Sequence, residues 1–173
     1  MTDGAGRSRH WAIATEERAG EGAAGGAMAT LAMSALMLAA GRIGLMGRYP
    51  PEKLASFTLA RLGVGPLARW KADGPLAALL HLAFGASLGA AFSLLPARVR
   101  HVAPEPLVGA AFGTLVWLVS YWGWIPTLGV LPPPDRDRAD RQISMLVAHW
   151  VFGAALGASL LALEVSGSEP SER

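Results

Sequence analysis

Four long stretches of the chain contain no charged residue. Each is at least 20 residues long: 22–41, 74–97, 106–134 and 142–163. A soluble helical domain carries charged residues along the outer face of each helix, so this distribution does not fit a soluble fold. About 20 mostly apolar residues form a helix that crosses the hydrocarbon core of a bilayer. The pattern therefore predicts an all-α integral membrane protein with four transmembrane helices. We place these helices at about 24–46, 75–96, 106–126 and 142–164.

The connection between the first two predicted helices, 50–72, has a mixed pattern. Apolar residues recur there near helical spacing, and basic residues lie among them: Leu54, Phe57, Leu59 and Leu62, with Lys53, Arg61, Arg69 and Lys71. A short amphipathic interfacial helix, anchored at the membrane surface by Trp70, and an ordinary connecting loop are both open interpretations. We expect the interfacial helix.

The composition excludes several classes of protein. The chain contains no cysteine, which excludes disulfides, zinc–thiolate sites and thiol catalysis. Its net charge of +2 and its pI of about 9.5 come from a small excess of arginine. The chain lacks the basic stripe with interleaved aromatic residues that is typical of nucleic-acid binding. The first apolar run exceeds the usual core of a signal peptide, about 7–15 residues, so we expect a retained helix. No catalytic motif is present, and we expect a protein that is not an enzyme.

One nine-residue pattern, H-x-x-F-G-A-x-L-G, occurs twice, at 81–89 and at 149–157. The pattern G-x-x-P-P precedes each copy, at 47–51 and at 129–133. Each unit contains two predicted helices, so both units have the same orientation and are related by an axis along the membrane normal. We therefore predict two tandem parallel two-helix repeats. The predicted boundaries are a polar N-terminal tail at 1–22, a transmembrane domain at 23–164 with repeats at 23–97 and 105–164, and a polar C-terminal tail at 165–173.

Every predicted helix carries a stripe of small residues at a spacing of four. The stripes include Gly22, Gly26, Thr30 and Ser34; Gly85 and Gly89; Gly109 and Gly113; and Gly153 and Gly157. Residues four apart lie on one face of a helix. In lipid, such faces let helix backbones approach closely. The glycines therefore predict a tightly packed four-helix bundle and indicate no chemistry.

Three features of the sequence resemble a known group of proteins. They are GAMATLAM at 26–33 leading to Pro50-Pro51, the two histidine–glycine stripes, and Trp117 with Ile125-Pro126-Thr-Leu-Gly129. Together, over about 26–163, they resemble uncharacterised bacterial inner-membrane proteins, the YagU-like proteins and related domains of unknown function. The resemblance implies a bacterial inner-membrane location. It supplies no reaction and no catalytic residue.

His81 and His149 are ionisable residues inside the predicted helices, away from the charged helix ends. Such a residue in a membrane is a candidate functional site. Three interpretations are open: a neutral imidazole bonded to a neighbouring helix or loop, a polar-substrate or proton site between the repeats, and ligation of haem b or a metal by the pair. Trp117 and Tyr121, which continue the third stripe, complete the candidate polar site. We expect no bound cofactor, with these histidines as the ligands if a haem or metal is present.

Two further features have a simple expected role. Met33 and Met37 share one face of the first helix. Their thioethers can ligate copper(I), but flexible packing is the commoner role of methionine and the one that we expect. The segment 132–141, PPPDRDRADR, places carboxylates beside arginines. We expect a solvated loop there.

The basic residues predict an orientation. The loops after the first and third helices, loops 1 and 3, carry nine lysines and arginines, against six on the other side of the membrane. Cytoplasmic loops carry the excess of basic residues, so we expect loops 1 and 3 in the cytoplasm.

Three functions remain open from the sequence. A small-solute or proton-linked permeation or accessory protein would use His81 and His149 as a site between the repeats. Four helices are few for a transporter, so this function predicts a homo-oligomer. A haem- or metal-binding redox protein would use the same histidines. A structural or assembly factor would pack against a membrane protein partner. All three share the lipid bilayer as a partner, and none involves nucleic acid.

Overall fold

The chain folds into helices joined by short connections. The structure is a computed structural model that describes residues 3–46, 50–61, 63 and 74–167. The helices are α1 (Asp3–Arg42), α2 (Pro50–Arg61), α3 (Pro75–Ser93), α4 (Ala97–Arg100), α5 (Glu105–Leu118), α6 (Ile125–Thr127) and α7 (Ala139–Gly167). A π-helical turn, Val119–Trp124, joins α5 to α6, and a 3-10 turn, Pro134–Arg136, precedes α7. The described residues contain no strand.

Four segments are long and apolar enough to cross a membrane. They are Ala12–Arg42, Pro75–Ser93, Glu105–Thr127 and Ala139–Ser166. The prediction of an all-α fold with four such helices is therefore confirmed. Large apolar side chains also cover the outside of these helices: Leu31, Leu79, Leu107, Leu115, Trp122, Ile143 and Leu161 are exposed. Large exposed apolar surfaces are rare on soluble monomers, so this surface is compatible with a multi-pass membrane protein.

The helix ends differ from the predicted ones. α1 begins at Asp3 rather than near residue 24, so most of the predicted N-terminal tail is helical. The physical reason is that no proline precedes Pro50, and ten of residues 1–22 are alanine, glutamate or arginine, which favour helices and outnumber the four glycines. α7 likewise continues to Gly167, into the predicted C-terminal tail.

The four long helices form two pairs. α1 packs against α3, α5 packs against α7, and the pairs meet where α1 contacts α7. α3 and α5 approach each other through aromatic side chains, with the rings of Phe92 and Phe112 5.1 Å apart between centroids. The backbones of α3 and α5 are therefore less closely packed than those of the three contacting pairs of helices.

The contact between α1 and α3 joins backbone to backbone. A Cβ atom added at Gly26 would overlap the carbonyl oxygen of Gly85, and one at Gly89 would overlap the carbonyl oxygen of Gly22. One at Gly85 would overlap the hydroxyl of Thr30, which donates a hydrogen bond to the Gly26 carbonyl at 2.7 Å. The predicted small-residue stripes of these two helices therefore face each other.

The contact between α5 and α7 has the same form. A Cβ atom at Gly109 would overlap the carbonyl oxygen of Gly153, and one at Gly157 would overlap that of Glu105. One at Gly113 would overlap the carbonyl oxygen of His149. Only glycine at these positions permits the observed approach of the two helices.

Candidate functional site

A cavity of about 110 Å³ lies between α3 and the π-helical turn. α2 borders it through Pro51, Leu54 and Ala55, and the segment after α6 borders it through Val130 and Leu131. The cavity therefore lies at the end of the bundle that carries loops 1 and 3. Its wall is mostly apolar, because α1, α2 and α3 contribute mainly methionine, leucine and phenylalanine side chains.

Both predicted site histidines line this cavity. His81 reaches it from α3 and His149 reaches it from α7. Both also line a smaller adjacent cavity of about 30 Å³, deeper in the bundle. The structure therefore brings together two residues that lie 68 positions apart in the sequence.

The hydrogen bonds of the two imidazoles differ. His149 Nδ1 lies 2.7 Å from the carbonyl oxygen of Met145. A carbonyl only accepts, so Nδ1–H donates and Nε2 of the neutral ring keeps its lone pair. His81 Nδ1 lies 3.2 Å from Ser34 Oγ, which links α3 to α1. A hydroxyl both donates and accepts, so this contact is compatible with either tautomer of His81.

The π-helical turn supplies the polar residues of the facing wall. Ser120, Tyr121 and Trp124 line the cavity from this turn. Pro126 has no N–H for the carbonyl four residues earlier, so a regular α-helix cannot continue through this region. Gly123 takes non-helical angles, φ −100° and ψ −107°. The sequence predicted that the helix ends at Pro126; it instead widens before Pro126 and ends at Thr127.

Tyr121 is fully buried and its hydroxyl donates a hydrogen bond to the Asp137 carboxylate. Asp137 also accepts from Arg141, at 2.9 Å from Nε and 2.6 Å from Nη2. Burial alone would raise the pKa of Asp137, but the hydrogen bonds from Arg141, Tyr121 and the Arg138 amide outweigh it and hold the pKa below its ordinary value.

The expectation of a solvated loop at 132–141 is therefore wrong for Asp137 and Arg141. Their side chains are 4% and 11% exposed. Asp137 lies two residues before α7 and Arg141 lies in its first turn, so the guanidinium reaches back to the carboxylate, which Tyr121 also contacts. Asp135 and Arg136, by contrast, are exposed as expected.

Trp117 lies beside the cavity rather than in its wall. Its ring stacks on Tyr121, with 5.5 Å between centroids and 20° between planes. Its buried Nε1 has no hydrogen-bond partner among the described residues. Of the two aromatic residues predicted for the site, Tyr121 lines the cavity and Trp117 supports it from behind.

The sequence interpretation missed other residues of the wall. Met145 of α7 and Phe84 of α3 line the cavity, and the Phe84 ring meets Trp124 edge to face at 6.4 Å. Met33 and Met37 also line it, although we expected them to serve packing alone. Their shared helix face was the available clue, but the partners on other helices are not visible in a sequence.

A family model described as "Family of unknown function (DUF6789)" matches residues 17–169. The chain belongs to this family. No curated protein and no solved structure matches the chain. Membership of DUF6789 does not indicate a reaction. The likeness to YagU-like proteins and the bacterial source remain predictions.

A second polar cluster lies at the opposite end of this DUF6789 chain. Arg100 Nη1 is 3.0 Å from Glu105 Oε1 and 2.9 Å from Glu164 Oε1. His101 Nδ1 lies 3.6 Å from the same Glu105 oxygen. Arg100 and Glu105 are buried, at 4% and 3% exposed. His101, Glu105 and Glu164 are close enough to hold a metal, but the Arg100 guanidinium already supplies their positive partner. The cluster joins the start of α5 to the end of α7.

Proposed function

We propose that this protein is a multi-pass membrane protein that binds a small ligand in the cavity against His81 and His149. The observation that carries the proposal is that one apolar cavity holds the two histidines of the spanning helices. An apolar cavity with a few convergent polar groups is the usual form of a ligand site. The burial of an ionisable residue within a membrane costs free energy, which makes each histidine a candidate functional residue.

The volume limits the ligand. An apolar cavity of about 150 Å³ accommodates benzene. A cavity of about 110 Å³ accommodates a ligand of only a few heavy atoms. A haem is much larger, and would have to displace α2 or α3. Haem ligation by the histidine pair is therefore not part of the proposal.

The interior beyond the histidines favours binding over permeation. Phe152 and Val116 border the smaller cavity, and Phe92 and Leu156 are fully buried in the same core. A solute that crossed the bundle would have to displace these side chains. An accessory or carrier role, in which the ligand enters and leaves at the end with loops 1 and 3, needs no such movement. The proposal includes no catalysed reaction.

The two repeats are part of the proposal. Gly26 meets Gly85 between α1 and α3 as Gly109 meets Gly153 between α5 and α7. These matched contacts support two parallel repeats in which His81 and His149 are equivalent. In that case a duplication of the two-helix repeat produced the second histidine, and both histidines lie at the same depth in the membrane.

α2 is the covering element of the cavity. Ala55 of α2 is buried against Ala77 of α3, with Leu59 alongside. Gly44 and Gly63, before and after α2, take positive φ angles of 80° and 73°. Glycine adopts this conformation without strain, so these positions accommodate sharp changes of chain direction. We propose that α2 lies at the membrane interface, as its sequence predicts; Arg69, Trp70 and Lys71 lie outside the described residues.

An assembly role has one observation in its favour. An open groove of about 430 Å³ runs between α5 and α7, lined by small residues such as Ala110 and Ala154. At its edge Trp150 Nε1 donates a hydrogen bond to Thr114 Oγ1 at 2.8 Å. A helix of a second copy or of another membrane protein fits such a surface. The oligomeric state of the protein in lipid nanodiscs tests this second role.

The location is also a proposal. We propose the bacterial inner membrane, with loops 1 and 3 in the cytoplasm because they carry nine basic residues against six. A reporter fused at residue 173 should then be active outside the cytoplasm. If the reporter is active only in the cytoplasm, loops 1 and 3 lie on the opposite side of the membrane from the one proposed.

Binding of 2-fluoroethanol tests the proposed function. This probe has only four heavy atoms, which suits the volume of the cavity, and its hydroxyl can donate to Nε2 of His149. We expect saturable binding, measured by ¹⁹F NMR with the protein in nanodiscs and with empty nanodiscs as the control for partitioning into lipid. His149→Gln should weaken binding about fivefold, the effect of one lost hydrogen bond.

Two adjacent leucines provide matched variants for this test. Leu80 lines the cavity, whereas Leu79 is 61% exposed on the outer face of α3. Leu80→Trp should fill the cavity and abolish saturable binding, and Leu79→Trp should leave it unchanged. Absence of saturable binding by the original protein, or equal binding by the Leu80→Trp variant, would refute the proposal.

A further inference from the structure

Three methionines share the cavity with the two histidines. Met33 and Met37 line it from α1, and Met145 lines it from α7. All three are buried, at 5%, 3% and 4% exposed. Among the described residues that line this cavity, none is an aspartate, glutamate, lysine or arginine. The atoms able to bind a ligand are thus mainly thioether sulfurs and imidazole nitrogens.

The smaller cavity shows which of these ligand atoms lie close to one another. Its volume of about 30 Å³ is roughly that of one water molecule in the liquid. Met33, His81 and His149 line both cavities, so these three residues lie where the two spaces meet. Thr30 also lines the smaller cavity, but its hydroxyl donates to the Gly26 carbonyl. A space the size of a single ion therefore adjoins two imidazoles and one thioether.

The chemistry of these groups selects among metal ions. Calcium and magnesium take oxygen ligands, and no carboxylate lines either cavity among the described residues. Thioether and imidazole ligands suit copper(I). A monovalent ion also costs less to transfer into an apolar interior than a divalent ion, because the cost rises with the square of the charge.

The hydrogen bond of His149 prepares this residue as a ligand. Its Nδ1–H donates to the Met145 carbonyl at 2.7 Å, which fixes the ring and keeps the lone pair on Nε2. Metal-bound histidines commonly make this bond from the nitrogen that does not bind the metal. Metal binding then requires neither loss of this bond nor a change of tautomer.

We propose that copper(I) is the ligand of this site, bound by His81, His149 and Met33. Met37 and Met145 line the larger cavity through which the ion reaches them. The proposal rests on the proposed function, since it names the ligand of the same cavity. It involves no change in the oxidation state of the metal.

Competition with a copper(I) chelator tests this proposal. The protein is reconstituted in nanodiscs, and copper(I) is titrated without oxygen in the presence of bathocuproine disulfonate. We expect one tightly bound copper(I) per chain, and no displacement by zinc(II). X-ray absorption should detect both sulfur and nitrogen ligands.

A pair of methionine variants on α1 separates the site from surface binding. Met33→Leu should weaken copper(I) binding at least about tenfold and remove the sulfur contribution from the absorption spectrum. Met28 is 65% exposed on the same helix, so Met28→Leu should change neither. Leucine has nearly the volume of methionine, so both variants should keep the fold, and their unfolding free energies check this.

The outcomes distinguish the two proposals. Copper(I) that fails to bind, or that binds equally after Met33→Leu, overturns the copper(I) proposal. If 2-fluoroethanol still binds saturably in that case, the proposed function stands with another ligand. If neither binds, both proposals fail.

Discussion

Replacement of Gly153 by alanine tests the close packing of α5 and α7. A Cβ atom there would overlap the Gly109 carbonyl oxygen, 2.5 Å from the carbonyl carbon and 3.0 Å from Ala110 Cα. Ordinary contact begins at 3.4 Å, so the two helices must separate at this point. The opposing atoms belong to the backbone, which cannot move away by rotation of a side chain.

The expected loss of stability follows from two opposing effects. Overpacking of a tight contact costs about 1–3 kcal/mol. Alanine also favours a helix over glycine by about 1 kcal/mol, which offsets part of this cost. We therefore expect Gly153→Ala to lower the unfolding free energy by up to about 2 kcal/mol, and to be about 1–3 kcal/mol less stable than a glycine-to-alanine change without the overlap.

Gly20 provides the matched control on α1. A Cβ atom at Gly20 has no other atom within 4 Å. Gly20→Ala should therefore leave the unfolding free energy unchanged or raise it by up to about 1 kcal/mol. Unfolding of both variants is measured in the same lipid or detergent mixture. If Gly153→Ala is as stable as Gly20→Ala, the two helices do not approach at Gly153 and the account of the packing is wrong.

Two further predictions concern the buried charges. Arg100→Met leaves Glu105 buried without its positive partner and should cost about 3 kcal/mol of unfolding free energy. Adding Glu105→Gln to this variant should restore most of the lost stability. If the two changes instead lower the stability additively, Arg100 and Glu105 are not energetically coupled. The pKa of Asp137 lies below its ordinary value of 3.8 in the folded protein, so its contribution to stability is present above that pH and is lost as the pH falls through the lower, folded value. Asp137→Asn should cost about 3 kcal/mol at neutral pH, because Arg141 loses its partner, and should remove this part of the acid dependence of unfolding; an unchanged acid dependence would contradict the assignment.

The sequence predicted the spanning helices and their contact faces because both depend on local patterns. Absence of charge identifies a span, and a spacing of four places Gly109 and Gly113 on one helix face. The start of α1 was predicted too late, since no proline interrupts the polar residues before the apolar stretch and the helix continues through them. The π-helical turn comes directly before Pro126, where the missing N–H of proline interrupts the regular helix.

Only the part of the candidate site that has a local signal in the sequence was predicted. His81 and His149 are conspicuous because an ionisable residue in an apolar run is unusual. Met145 and α2 became part of the site only through contacts between distant segments. The ion pair between Arg100 and Glu164 likewise joins residues 64 positions apart, and the charge pattern near them predicts no partner.

The proposed site requires that one ligand contacts both His81 and His149. The chain contains four histidines, so replacement of His10 and His101 by glutamine leaves only the site pair for ¹⁵N-histidine NMR. Without ligand, His149 should give the spectrum of a neutral ring protonated at Nδ1. With copper(I) or with 2-fluoroethanol, we expect the imidazole signals of both histidines to shift over the same range of ligand concentration. Signals that stay unchanged with both ligands, or a shift of one histidine alone, would contradict the shared site.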